Sequence, residues 1–182
     1  YQDGELLPCQ TEQEASNVNL DWRKLAVFQA RLQPGAMNRF ACRFERVAAR
    51  PRPAYAAEDG KIEIDNGRLA VTINTRTGLV DAYRIDGMDL LQPGAFAALV
   101  MQDNDDPWGM HVHAFREEVG RFNLMPPEIG TRFSGLEDAV IDSVRVIEHG
   151  PVRTVVEAVF QYGSSDRKSV VEGKSVVLGG RR

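Results

Sequence analysis

Residues 61–85, KIEIDNGRLAVTINTRTGLVDAYRI, decide the fold class. Lys61-Ile62-Glu63-Ile64 runs into Asn66-Gly67, a dipeptide suited to a tight hairpin in which both turn positions take positive φ. Beyond it Leu69, Val71 and Ile73 alternate with Ala70, Thr72 and Asn74, the period-two pattern of a strand with one buried face. Thr77-Gly78 turns the chain again, and Leu79 to Ile85 reads as a further strand before Asp86-Gly87. Helical periodicity is absent from this stretch. The expectation is an antiparallel meander of three or four short strands in an all-β protein.

On the carboxyl side, Gln102 to Gly135 is polar and turn-rich and is expected to be a long loop. Strands are expected to resume at Ala139-Val140-Ile141 and at Val144 to Glu148. His149-Gly150-Pro151 then turns into a long β-rich strand over Val152 to Phe160. On the amino side, Ala48 to Ala57 (AARPRPAYAA) carries two prolines and no periodicity, which places a linker at 48–56. Before it, Leu25 to Leu32 alternates loosely, Pro34-Gly35 supplies a turn, and Arg39 to Phe44 puts Phe40, Cys42 and Phe44 on one face. These two runs are expected to form an antiparallel pair at the edge of a sandwich.

The chain has 182 residues, 43% hydrophobic and 26% charged, with a net charge of −4, ordinary values for a globular protein. No basic patch offers to neutralise phosphates, which argues against a nucleic-acid partner. No apolar run approaches the roughly 20 residues needed to span a bilayer, so no membrane partner is expected. The start, Tyr1-Gln2-Asp3-Gly4-Glu5, is polar and acidic, lacks an initiator Met and has no signal-peptide pattern. The chain is therefore expected to begin inside a longer protein, with the cytoplasm the favoured compartment. Cys9 and Cys42 are expected to be free thiols in a reducing cytosol.

The last seventeen residues, 166–182 (DRKSVVEGKSVVLGGRR), resemble the conceptual translation of a common short-read sequencing adapter. Glu172 stands where that frame has its stop codon and Val177 where it has Asp, each one base change away. On this reading the tail is foreign and the natural sequence ends near Ser165, in mid-domain. The competing reading is a strand pair, Ser169 to Val171 and Ser175 to Leu178. Gly173-Lys174-Ser175 is not a phosphate loop, because the motif's first Gly and its strand-to-helix setting are missing.

The densest collection of chemically capable side chains is Asp103-Asn104-Asp105-Asp106-Pro107-Trp108-Gly109-Met110-His111-Val112-His113. His111 and His113, two apart on an extended segment, would share a face, but a metal site needs further ligands and the only other histidine is His149. No metal ligand is assigned. A sugar-facing loop is the functional reading, since sugars are held by an aromatic face and by carboxylates that accept hydroxyl hydrogens. Trp108 with Asp105 or Asp106 supplies both, and these three are the substrate-facing candidates; the bland alternative is that Trp108 plugs the edge of the sandwich. Glu117-Glu118 and Glu137-Asp138 are acid–base candidates by type alone, with nothing in the sequence around them to bury one carboxyl and raise its pKa, and are read as surface charges.

Four segments in order, Glu5 to Gln13 (ELLPCQTEQ), Asn66 to Leu91, Asp105 to Met110 (DDPWGM) and Val146 to Val155 (VIEHGPVRTV), resemble the post-catalytic part of glycoside hydrolase family 38 α-mannosidases. The resemblance spans residues 1 to 163. It implies a parent enzyme with an α/β catalytic domain, a helical bundle and then β-sandwich domains. In this chain, 1–47 would be the end of a small β-sandwich domain. Residues 57–165 would be the start of a galactose mutarotase-like sandwich, incomplete at its end. The family's reaction is retaining hydrolysis of α-mannosides, with an Asp nucleophile and a zinc ion in the catalytic domain. None of those motifs has a counterpart here, so no catalytic residue is carried over and the zinc belongs to the parent. The implied partners are an α-mannoside, met through the parent enzyme, and the missing catalytic domain. A stand-alone carbohydrate-binding or structural β-sandwich module is the alternative. A mutarotase-type epimerase would need a His and a carboxylate facing one sugar.

Overall fold

The structure, a computed structural model, describes residues 1–14, 23–45, 55–92, 95–103, 114–133, 140–172 and 175–177. Strand β1 (Cys9–Gln13) pairs antiparallel with β2 (Lys24–Phe28), Thr11 opposite Ala26. The meander follows in sequence order as β3 (Lys61–Asp65), β4 (Leu69–Asn74), β5 (Val80–Ile85) and β6 (Met88–Asp89). Strand β7 (Leu99–Met101) pairs with β8 (Glu118–Arg121). Then come β9 (Asn123–Leu124), the short helix α1 (Pro127–Phe133), β10 (Val144–His149), β11 (Thr154–Tyr162), β12 (Ser165–Glu172) and β13 (Ser175–Val177). Strands β10 to β13 form a second antiparallel sheet in sequence order, with β9 also hydrogen-bonded to β11. The protein is all-β and sandwich-like, as the alternation in residues 61–85 implies.

The sandwich exists because two sheets bury one face each against the other. From the meander, Ile62, Val71, Ile73 and Val80 point inward; from the second sheet, Val144, Val156, Ala158 and Phe160 meet them in a single buried cluster. Ile62 and Ile73 are directly opposed across β3 and β4. Burial of each such side chain contributes about 1.5–3 kcal/mol. Strand β11 is buried on both faces from Thr154 to Ala158, so it is the central element of the second sheet.

Turn chemistry sets the strand order. The geometry with positive φ at both turn positions occurs at three Asp-Gly pairs, Asp3-Gly4, Asp59-Gly60 and Asp86-Gly87. At Asn66-Gly67 the expectation is corrected: only Gly67 has positive φ, and the Asn66 carboxamide accepts hydrogen bonds from the N–H groups of Arg68 and Leu69. An Asn side chain can take over the turn's hydrogen bonding in this way, which removes the need for a left-handed Asn backbone.

Three further expectations are corrected. The partner of β2 is β1 rather than residues 39–44, which are not a strand. Asn38 accounts for the difference: its side chain bonds both the N–H and C=O of Gln33 and the C=O of Ala36, consuming groups that a hairpin ladder would need. Phe40 packs on Phe28 at 4.9 Å between ring centroids, while Cys42 and Phe44 are exposed, Phe44 at 96%. The expected loop over 102–135 contains β8, β9 and α1. Its strands run for only two to four residues, too short to register as a period, and Pro127 opens the helix where its missing N–H costs nothing. Val140 and Ile141 lie outside any strand; Ile141 N–H instead donates to Thr131 Oγ1.

At the carboxyl end, β12 lies along β11 from Tyr162↔Ser165 to Val155↔Glu172, and β13 pairs with β12, which is the strand-pair alternative for this tail. Such pairing uses N–H and C=O groups that every residue but proline carries, so it does not depend on where the segment's side chains come from.

Gly78 has φ +71, and a Cβ built on it would lie 2.7 Å from both Phe160 Cζ and Leu124 Cδ1. Gly67 has φ +83 but open space around it. Gly67→Ala should therefore cost only the left-handed backbone term of about 1–2 kcal/mol. Gly78→Ala should add a packing penalty of about 1–3 kcal/mol against a rigid ring. Urea denaturation of both variants tests this, and equal losses would contradict the packing.

Candidate functional site

The turn between β10 and β11, residues 150–153, closes with Gly150 N–H donating to Arg153 C=O at 3.2 Å. Its other backbone donors face β1. The Gln10 carboxamide oxygen accepts from Val152 N–H and Arg153 N–H, both at 2.9 Å, and its Nε2 donates to Arg153 C=O at 3.1 Å. One amide side chain thus pairs with a peptide as a neighbouring strand would. The close approach requires Gly150: a Cβ there would fall 2.5 Å from Gln10 Oε1 and 2.9 Å from Gln10 Cβ.

Arg153 continues the contact through its side chain. Its Nε donates to Glu12 Oε1 at 2.8 Å and its Nη2 to Glu12 Oε2, a two-pronged pair that Gln10 Nε2 joins at 2.6 Å from Glu12 Oε1. The Glu12 side chain is 3% exposed and that of Arg153 25%. Gln13 N–H adds a bond to Glu148 Oε1 at 2.9 Å. Beside this cluster His149 Nδ1 lies 2.9 Å from Thr154 Oγ1, and the Tyr55 ring meets the imidazole edge-on at 5.1 Å. On the same hairpin Arg145 Nη2 pairs with Glu157 Oε1 at 2.7 Å, a second buried carboxylate.

These contacts define a clasp rather than a reaction centre. Hydrogen bonds from Arg153 and its charge, with the Gln10 amide, hold the Glu12 carboxyl below its ordinary value of 4.5 and outweigh the opposing effect of burial. A general acid needs the reverse shift, and a glycosidase nucleophile needs a carboxylate oxygen open to the sugar. Glu12 offers neither. Glu118 is likewise held low by its hydrogen bonds with Arg121 and remains at the surface, so it does not serve as a raised-pKa acid.

The substrate-facing candidates Asp105, Asp106 and Trp108 lie outside the described residues, as do His111, His113, Glu137 and Asp138. The described residues on either side of them are joined: Met101 pairs with Glu118, and Gln102 N–H donates to Glu117 C=O at 2.8 Å. Among the described residues no group of three or more His, Cys, Asp or Glu side chains is arranged to hold a metal ion. No described helix is long and apolar enough to cross a membrane. Cys9 and Cys42 are free and exposed.

Sequence reasoning did not single out Gln10, Glu12 or Arg153 individually. The available signal was a charged residue between apolar neighbours, Val152-Arg153-Thr154-Val155, entering a strand buried on both faces. Such a charge has to find a counter-ion. No protein-family model matches the chain, and no curated protein and no solved structure matches it.

The pair predicts an asymmetry. Arg153→Ala leaves a carboxylate buried without its counter-ion and should cost about 3–5 kcal/mol. Glu12→Ala should cost less, because the guanidinium left behind is a quarter exposed and can reach water. Because the Glu12 pKa is lower folded than unfolded, its stabilisation is present above pH 4.5 and is lost as pH falls through the folded value. The stability gap between wild type and Glu12→Gln should accordingly shrink on acidification, as measured by urea midpoints across that range. A gap that widens toward low pH would contradict the assignment.

Proposed function

We propose that this chain is a non-catalytic β-sandwich portion of an α-mannosidase, supporting the catalytic domain of a parent enzyme that hydrolyses α-mannosides. The observation that carries this reading is the clasp. Glu5 to Gln13 and Val146 to Val155 are two of the four segments that resemble the family 38 enzymes, and their side chains meet although Glu12 and Arg153 are 141 residues apart. Residues joined in this way serve to fix a small β unit against a sandwich, and their hydrogen bonds leave no group poised for chemistry.

In this reading the mutarotase-like sandwich begins at residue 57, and β1–β2 belongs to the small preceding β-sandwich domain. The clasp fixes the angle between them, and so the position of whatever the small domain carries. The zinc implied by the resemblance belongs to the catalytic domain, and no residue of this chain is assigned to it. Asp105, Asp106 and Trp108, between β7 and β8 in the sequence, are the residues proposed to reach the sugar. The ring would cover the C–H face and the carboxylates would accept hydroxyl hydrogens.

The chain by itself should not turn over an aryl α-mannoside, with or without added zinc. In the parent enzyme, Arg153→Ala should lower the thermal midpoint while leaving kcat per folded molecule unchanged. Trp108→Ala should raise KM or lower kcat with the midpoint nearly kept. Chelator-sensitive turnover by the chain alone, or a stable Arg153→Ala enzyme with lost kcat, would overturn the proposal.

A further inference from the structure

A second feature lies away from the clasp, between the Asp3-Gly4 turn and residues 39–43. The turn is tight: Gln2 and Glu5 exchange N–H to C=O bonds at 3.0 and 2.9 Å, and Asp3 and Gly4 both take positive φ. Residues 39–43 are held beside it by a reciprocal pair of bonds between Tyr1 and Ala41, both at 2.9 Å, and are held to β2 by the Phe40–Phe28 ring contact. Between them is an open cleft of about 570 Å3, lined among others by Tyr1, Asp3, Arg39, Phe40 and Arg43. That volume suits a monosaccharide-sized ligand.

The two arginines give the cleft its chemistry. Arg39 and Arg43 lie on either side of Ala41 in the sequence, and both line the cleft. Neither makes an ion pair among the described residues. Arg43 stacks instead over the Tyr1 ring, its guanidinium carbon 5.5 Å from the ring centre. Stacking of this kind orients the guanidinium yet leaves its in-plane N–H groups free to grip an oxyanion in two-pronged fashion. Asp3 contributes an acceptor that a bare anion would avoid and that a hydroxyl group would seek.

We propose that this cleft binds a hydroxylated oxyanion: a sugar bearing a phosphate ester or a carboxylate, with the anionic group on Arg39 and Arg43 and a hydroxyl on Asp3. The site is independent of the clasp and of the mannosidase reading, and neither stands or falls with it.

Calorimetric titration of the full chain tests the proposal with four probes: a hexose 6-phosphate, a hexuronate, inorganic phosphate and a neutral hexose. Saturable binding of at least one sugar anion is expected, about tenfold tighter than inorganic phosphate, with no heat from the neutral hexose. The tighter of the two sugar anions identifies which oxyanion the site prefers. Arg39→Ala and Arg43→Ala should each weaken binding about tenfold, with Arg43→Lys between them and the wild type. Asp3→Asn should weaken the sugar anion and spare inorganic phosphate. Both arginines are exposed, so unchanged thermal midpoints verify that the variants are folded. Absence of saturation, inorganic phosphate binding as tightly as the sugar anions, or affinity unmoved by both arginine variants would overturn it.

Discussion

Arg153 closes the turn between β10 and β11, immediately before a strand buried on both faces, and its charge has to be met there. Glu12 meets it. A two-stranded sheet such as β1–β2 is marginal in water by itself, so its position depends on what it is fastened to. The fastening is a carboxylate gripped by two guanidinium nitrogens and one amide, with the same amide capping the turn's backbone. Buried ion pairs add little net stability compared with apolar residues of the same shape, yet breaking one is costly. The pair is therefore best understood as selecting one docking arrangement. Other placements of β1 would give up the pairing of Glu12 with Arg153 and of Gln10 with the turn.

The hydrophobic sandwich stands beside this polar join and follows different rules. Ile62, Val71 and Ile73 face Val156, Ala158 and Phe160 because alternate residues on each sheet point inward, and any well-packed apolar set of similar volume would serve. Gly78 is the exception, since the turn between β4 and β5 passes against the Phe160 ring with no room for a side chain. The core holds the sheets together; the clasp decides how the amino-terminal β unit sits on them.

The meander was legible because strands of five or six residues with one buried face leave a period in the sequence, and Gly67, Gly78 and Gly87 punctuate it. The pairing of β1 with β2 was not. The two strands are joined through backbone bonds, which any residue but proline can make, and nothing in CQTEQ alternates between apolar and polar. Strands β8 and β9 and helix α1 were missed because elements this short carry no period. The clasp was not legible: the one signal was the charge of Arg153 among apolar neighbours, and only the fold brings Gln10 to Val152. The proposal for Asp105, Asp106 and Trp108 rests on residue chemistry and on the bond between the flanking residues Gln102 and Glu117.

Amide hydrogen exchange at Val152 and Arg153 tests the clasp most directly. Their N–H groups sit in a hairpin turn, where exchange is ordinarily fast, and their acceptor is the Gln10 side chain. Protection approaching that of the β11 amides in the wild type, and lost selectively at these two positions in Gln10→Ala, is the expected result. Exchange at the rate of an exposed turn in the wild type would mean that β1 is not fastened to the β10–β11 hairpin, and would contradict the structural role assigned to this chain.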